Sequence, residues 1–147
     1  MRKRAWHIAL LTVLLAIGSE LWLRATPPQD PPRAAGNWTL SGPPDCGKRR
    51  TPDIRQWRGI SGARRICRAQ YQGPTPMELT LVEMPGTPGA TAFDAWQKWP
   101  PDQLGKLGFY KGRFFGVAES AASDREALIL FTSGIENGLP GSGEGHW

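Results

Sequence analysis

Cys46 and Cys67 are the only cysteines of the chain, and His7 and His146 its only histidines, so nucleophilic or metal chemistry has few starting points. The cysteines are too far apart for a Cys-x-x-Cys redox pair and lack the clustered extra ligands of a zinc site. His7 lies in an apolar segment and His146 in the tail, so neither is placed to act as a base for Ser123 or Ser133. Glu78 and Glu83 fall on opposite faces of an alternating run, and a carboxylate pair there requires Asp94 or Glu119 to be brought in by tertiary structure. Gly105-Lys106-Leu107-Gly108 lacks the length and context of a phosphate loop. Taken together, these residues predict a protein that is not an enzyme and binds no metal and no cofactor.

The elements that hold these residues start with an address. MRKR precedes AWHIALLTVLLAIGSELWLR, a cationic start followed by an apolar run, the pattern of an export signal. Read as an uncleaved anchor, residues 5–23 form a helix of about 28 Å, just enough to span a bilayer. Trp6 and Trp22 then sit near the two membrane interfaces, and Arg2, Lys3 and Arg4 keep the N-terminus cytoplasmic. Glu20 and His7 are costly in hydrocarbon unless near an interface. The alternative is a cleaved signal peptide with Ala16 and Gly18 before the cut. Either reading places the rest of the chain outside the cytoplasm. The domain plan is residues 1–24 as anchor or signal, 25–45 as a proline-rich linker, 46–140 as an α+β extracytoplasmic domain and 141–147 as a flexible tail. With 147 residues, a second independent core is not expected.

In an oxidising compartment the simplest state of Cys46 and Cys67 is a disulfide. The loop it closes is the most basic part of the chain, with Lys48, Arg49, Arg50, Arg55, Arg58, Arg64, Arg65 and Arg68 against Asp53 alone. Held close to a bilayer by a short linker, these cations suit anionic lipid head groups or an acidic partner; as a solvated surface they aid solubility. Asn37-Trp38-Thr39 matches a glycosylation acceptor, a short and unspecific pattern.

Residues 63–72 and 76–84 read as strands joined by a turn at Gly73–Pro76, the second alternating Met77, Leu79, Leu81 and Glu83 with Glu78, Thr80, Val82 and Met84. Thr87-Pro88 suits a helix start, followed by Phe93, Trp96 and Trp99, with Pro100-Pro101 as the stop. LGFYKGRFF predicts a hairpin turning at Lys111-Gly112, with Phe109 facing Phe114. Ser123 and Glu126 suit a capping box for a second helix with an apolar stripe of Leu128, Phe131, Ile135 and Leu139. The fold class expected is α+β: an N-terminal transmembrane or signal helix, then a small antiparallel sheet covered on one face by two helices. KGRFFGV differs from an RNA-recognition strand by having Arg113 after Lys-Gly, and export removes that partner, so no nucleic-acid binding is expected.

YQGPTPMELTLVEM, TPGATAFDAW, LGFYKGRFFGVAES and REALILFTSGIENGLP together resemble an uncharacterised family of exported or membrane-anchored bacterial α+β domains, over about residues 70–140. The resemblance implies an envelope location and carries no reaction. A weaker similarity, through the anchor and Trp57-Arg58-Gly59, is to periplasmic domains of exosortase-associated membrane proteins. The leading functional expectation is a membrane-tethered extracytoplasmic interaction or accessory domain, a small subunit of an envelope membrane complex, with the bilayer, anionic lipids or other subunits as partners. The alternative is an exported small-molecule or lipid-binding module walled by Trp57, Trp96, Trp99 and Tyr110.

Overall fold

A computed structural model describes residues 28–47, 60, 62–100 and 103–146. Its centre is the pair of strands whose alternation is plainest, β4 (Arg65–Gln72) and β5 (Met77–Glu83), antiparallel from Arg65↔Glu83 to Tyr71↔Met77. Around them an antiparallel eight-stranded sheet assembles in the order β1-β2-β4-β5-β7-β6-β8, with β3 (Asp45–Gly47) also pairing with β4. The other strands are β1 (Ala34–Ala35), β2 (Trp38–Leu40), β6 (Lys106–Lys111), β7 (Phe114–Glu119) and β8 (Glu144–His146). Two helices complete the domain, α1 (Ala92–Gln97) and α2 (Arg125–Gly138).

The expected architecture is corrected here. The two helices lie on opposite faces, and the sheet is a curled half-barrel that makes up most of the domain. Helix α2 touches β1 at one flank and β6 and β8 at the other, so the sheet wraps around it. Met77, Leu79, Leu81, Phe109 and Phe114 meet Leu128, Phe131, Ile135 and Leu139 on that side. On the opposite side Ile66, Val82, Met84, Phe115 and Val117 meet Ala92 and Ala95 of the short α1. Burial of both faces explains why β5 carries the large apolar Val82 as well as those at its alternate positions, and why Met84 follows directly after the strand. The N-terminal helix expected for residues 1–24 lies outside the described residues; among those described, no helix is long and apolar enough to cross a membrane.

Five local expectations change as well. The supposed linker, residues 25–45, enters the sheet as β1 and β2 and starts β3, and its Ala35 and Trp38 are buried. Trp38 packs edge-on against Phe131 at 5.6 Å and donates its indole N–H to the Thr75 carbonyl at 2.8 Å, while the Tyr71 hydroxyl donates to the Pro32 carbonyl at 2.7 Å. Composition hid this because the segment brings almost no core of its own; it docks on one made by α2.

Helix α1 begins at Thr91, not at Thr87-Pro88. The Thr91 hydroxyl accepts from the Asp94 N–H at 3.1 Å, and the Asp94 carboxylate accepts from the Thr91 N–H at 2.9 Å. Helix α2 is capped by Asp124, which accepts from the Ala127 N–H at 3.0 Å, not by Ser123 and Glu126. The hairpin turns at Gly112-Arg113, one residue later than expected, because Gly112 supplies the left-handed φ of 54° at the first loop position. Phe109 therefore faces Gly116, and Lys111 faces Phe114. Finally, the tail is not loose: Glu144–His146 pairs with β6 as β8.

Candidate functional site

Register places one row of polar side chains across four strands: Gln70↔Glu78, Glu78↔Glu119 and Glu119↔Lys106. Cross-strand partners share a face, so these four form a continuous polar strip beyond the apolar region that α1 covers. The strip floors an open groove of about 570 Å³, edged by Ser41, Gln72, Leu104 and Ser120. Lys106 pairs with Glu119 at 3.1 Å. Glu78 is exposed and has no ion-pair or hydrogen-bond partner among the described residues, and the buried Ser120 hydroxyl has none either. At the lip, Leu104 is 89% exposed. Thus one open carboxylate, amides, an ammonium–carboxylate pair and an aliphatic contact point lie together. This arrangement suits a polar, extended ligand that brings hydrogen-bond donors or a cation to Glu78. It brings together Glu78 and Glu119, as a carboxylate pair required, whereas Glu83 lies on the opposite face and pairs with Arg113 at 3.3 Å. Asp94 is engaged by Thr91, whose hydrogen bonds hold its carboxyl below the ordinary range.

Cys46 and Cys67 face each other across β3 and β4 and form a disulfide. That bond suits an oxidising, extracytoplasmic environment. The Asp30 carboxylate lies close to both sulfurs, but the sulfurs are spent on one another and Asp30 pairs with Arg65 at 2.6 Å, so this trio offers a cation no thiolate. Of the basic set, Lys48, Arg49, Arg50, Arg55 and Arg58 lie outside the described residues, as do Trp6, Trp22 and Trp57. Arg64 is exposed beside β4. Arg65 is turned inward on the chain, bonding Asp30 and the Gln29 carbonyl, and so ties the N-terminal segment to the sheet.

Of the aromatic residues expected to wall a pocket, the described ones, Trp96, Trp99 and Tyr110, serve packing. Trp96, Phe93 and Tyr110 stack with ring centroids 5.1 to 5.8 Å apart, and the Trp96 indole donates to the Gly108 carbonyl at 3.3 Å. Trp99 lies on Phe115. None of them lines the polar groove.

Sequence reasoning missed Glu136. It sits on the inner side of α2, 5% exposed, with Oε1 buried and without a hydrogen-bond partner among the described residues and Oε2 3.8 Å from His146 Nδ1. Burial pushes its carboxyl up to about 7, with the negative Glu144 adding to the effect. The signal was present: Glu136 follows Leu128 and Thr132 at four-residue steps, on the face that packs.

Comparison with family models, with curated proteins and with solved structures finds no match for this chain.

Proposed function

We propose that the chain is a membrane-tethered extracytoplasmic interaction or accessory domain, a small subunit of an envelope membrane complex, and that the polar groove is where it meets its partner. The observation that carries this reading is the open groove itself, floored by Gln70, Glu78, Glu119 and Lys106, with a carboxylate unpaired among the described residues and an exposed leucine at its lip. A flat polar strip beside an aliphatic contact favours an extended polypeptide segment over a small apolar molecule, which calls for an enclosed, mostly apolar cavity. The disulfide supports the location, and the apolar residues 5–23 support the tether.

The test is a photo-crosslinking amino acid at Leu104 in the full-length chain, expressed in its own membrane. A discrete adduct with a second membrane protein, lost on Glu78→Lys, is the expected result. Adducts that persist unchanged with Glu78→Lys refute the groove as the contact. A monomer carrying a lipid or other small molecule in native mass spectrometry favours the binding-module alternative instead. N-terminal sequencing that finds residues 1–24 removed refutes the tether.

A further inference from the structure

Strand β8 is three residues long and lies at the edge of the sheet, paired with β6 through Phe109↔His146, Tyr110↔Gly145 and Lys111↔Glu144. Little else fastens it. The Gly112 N–H donates to the Gly143 carbonyl at 3.0 Å, and Lys111 pairs with Glu144 at the surface, where ion pairs are weak. Beneath this strand lies Glu136, with one carboxyl oxygen buried and without a hydrogen-bond partner among the described residues.

The surroundings of Glu136 decide what its ionisation does. From β8 come Glu144 and His146; from β6 comes Lys111, already engaged by Glu144. The sides of β1 and β7 that meet α2 are apolar, with Ala35, Phe114 and Ala118. A negative Glu136 thus finds one like charge nearby and a lysine committed elsewhere. His146 stands too far for a hydrogen bond, and its help depends on its being protonated.

We propose that Glu144–His146 is a pH-governed strap, seated on β6 while the Glu136 carboxyl is protonated and released when that carboxyl gives its proton to solvent, which uncovers the outer edge of β6 at Phe109–Lys111. Release is the accessible response because a buried, unpaired charge is far costlier than opening a three-residue edge strand. The elevated ionisation of Glu136, at about 7, puts the change near neutrality. Acid favours the seated strap and alkali the released one.

Hydrogen–deuterium exchange of the full chain in mild detergent reads this directly, in peptides covering residues 109–111 and 141–147. After correction for intrinsic exchange, protection is expected to fall by up to about tenfold per pH unit as the pH rises from the ordinary carboxylate range to the Glu136 midpoint and to level off above it, measured between about pH 5 and about pH 8. Glu136→Gln is expected to keep its acid-pH protection throughout. Equal protection at both pH values in the wild type, or the same fall in the variant, overturns the proposal. Carbon-13 titration of the wild-type Glu136 carboxyl makes the test independent of whether the variant folds. A midpoint coinciding with the pH at which the loss of protection levels off supports the strap, and titration in the ordinary carboxylate range overturns it.

Discussion

Removing the Cys46–Cys67 crosslink is a perturbation whose size follows from the structure. The bond spans a sequence separation of 21 and joins β4, in the middle of the sheet, to β3, whose three residues pair with no other strand among the described residues. Chain entropy for a loop of that length gives about 3 kcal/mol. A domain of this size has a total stability on the order of 5 to 15 kcal/mol, so the loss is a large share of it. With a urea dependence of about 1.5 kcal/mol per molar, the unfolding midpoint should fall by about 2 M on reduction. Cys67 is buried and Cys46 partly so, which makes the paired Cys46→Ala/Cys67→Ala variant lose some packing in addition. Reduced wild type therefore isolates the crosslink, and the difference between it and the variant reports the side chains. Intrinsic tryptophan fluorescence follows the transition, since Trp38, Trp96 and Trp99 are all packed in the domain. Coincident midpoints for oxidised and reduced protein would refute the reasoning, because they would show the loop already restrained in the unfolded chain or β3 already detached in the folded one.

Gly116 lies under the Phe109 ring, where an added Cβ would stand 2.2 Å from Cζ. Gly116→Ala should therefore destabilise by roughly 1–3 kcal/mol, recovered in part by adding Phe109→Leu, as a double-mutant cycle in urea will show. Glu136→Gln should change the pH dependence of stability. With a folded value of about 7 against an ordinary 4.5, Glu136 imposes no penalty below 4.5, a growing one up to about 7 and its full penalty above. That penalty is at most about 3 kcal/mol, since release of β8 relieves it. The variant should thus gain on the wild type as pH rises; a constant difference between pH 5 and pH 8, roughly the range of greatest native stability, contradicts the linkage.

Much of the local structure was legible because it depends on near neighbours. The strands at Arg65–Gln72 and Met77–Glu83 follow from alternation and from the turn signals between them. The stripe of Leu128, Phe131, Ile135 and Leu139 follows from helical period, and all four are buried. The cysteine pairing follows from there being only two.

What the sequence left open depends on how the sheet curls and in what order its strands lie. Putting α1 and α2 on opposite faces gives the sheet two buried surfaces, a choice that amphipathic patterns in single helices do not encode. The hairpin register turned on one residue, and a one-residue slip changes every facing pair, so Gly112 rather than the aromatic pattern decided it. The groove is less legible still, since Gln70, Glu78, Lys106 and Glu119 come from four strands and meet only through the order β4-β5-β7-β6. By itself the sequence determined the central strands, the existence of the hairpin and of the two helices, the disulfide and an export-type N-terminal pattern. Only the tertiary structure decided that a proline-rich segment and the tail close the sheet's two flanks around α2, because their few pairing residues have no stable place until that helix presents its face.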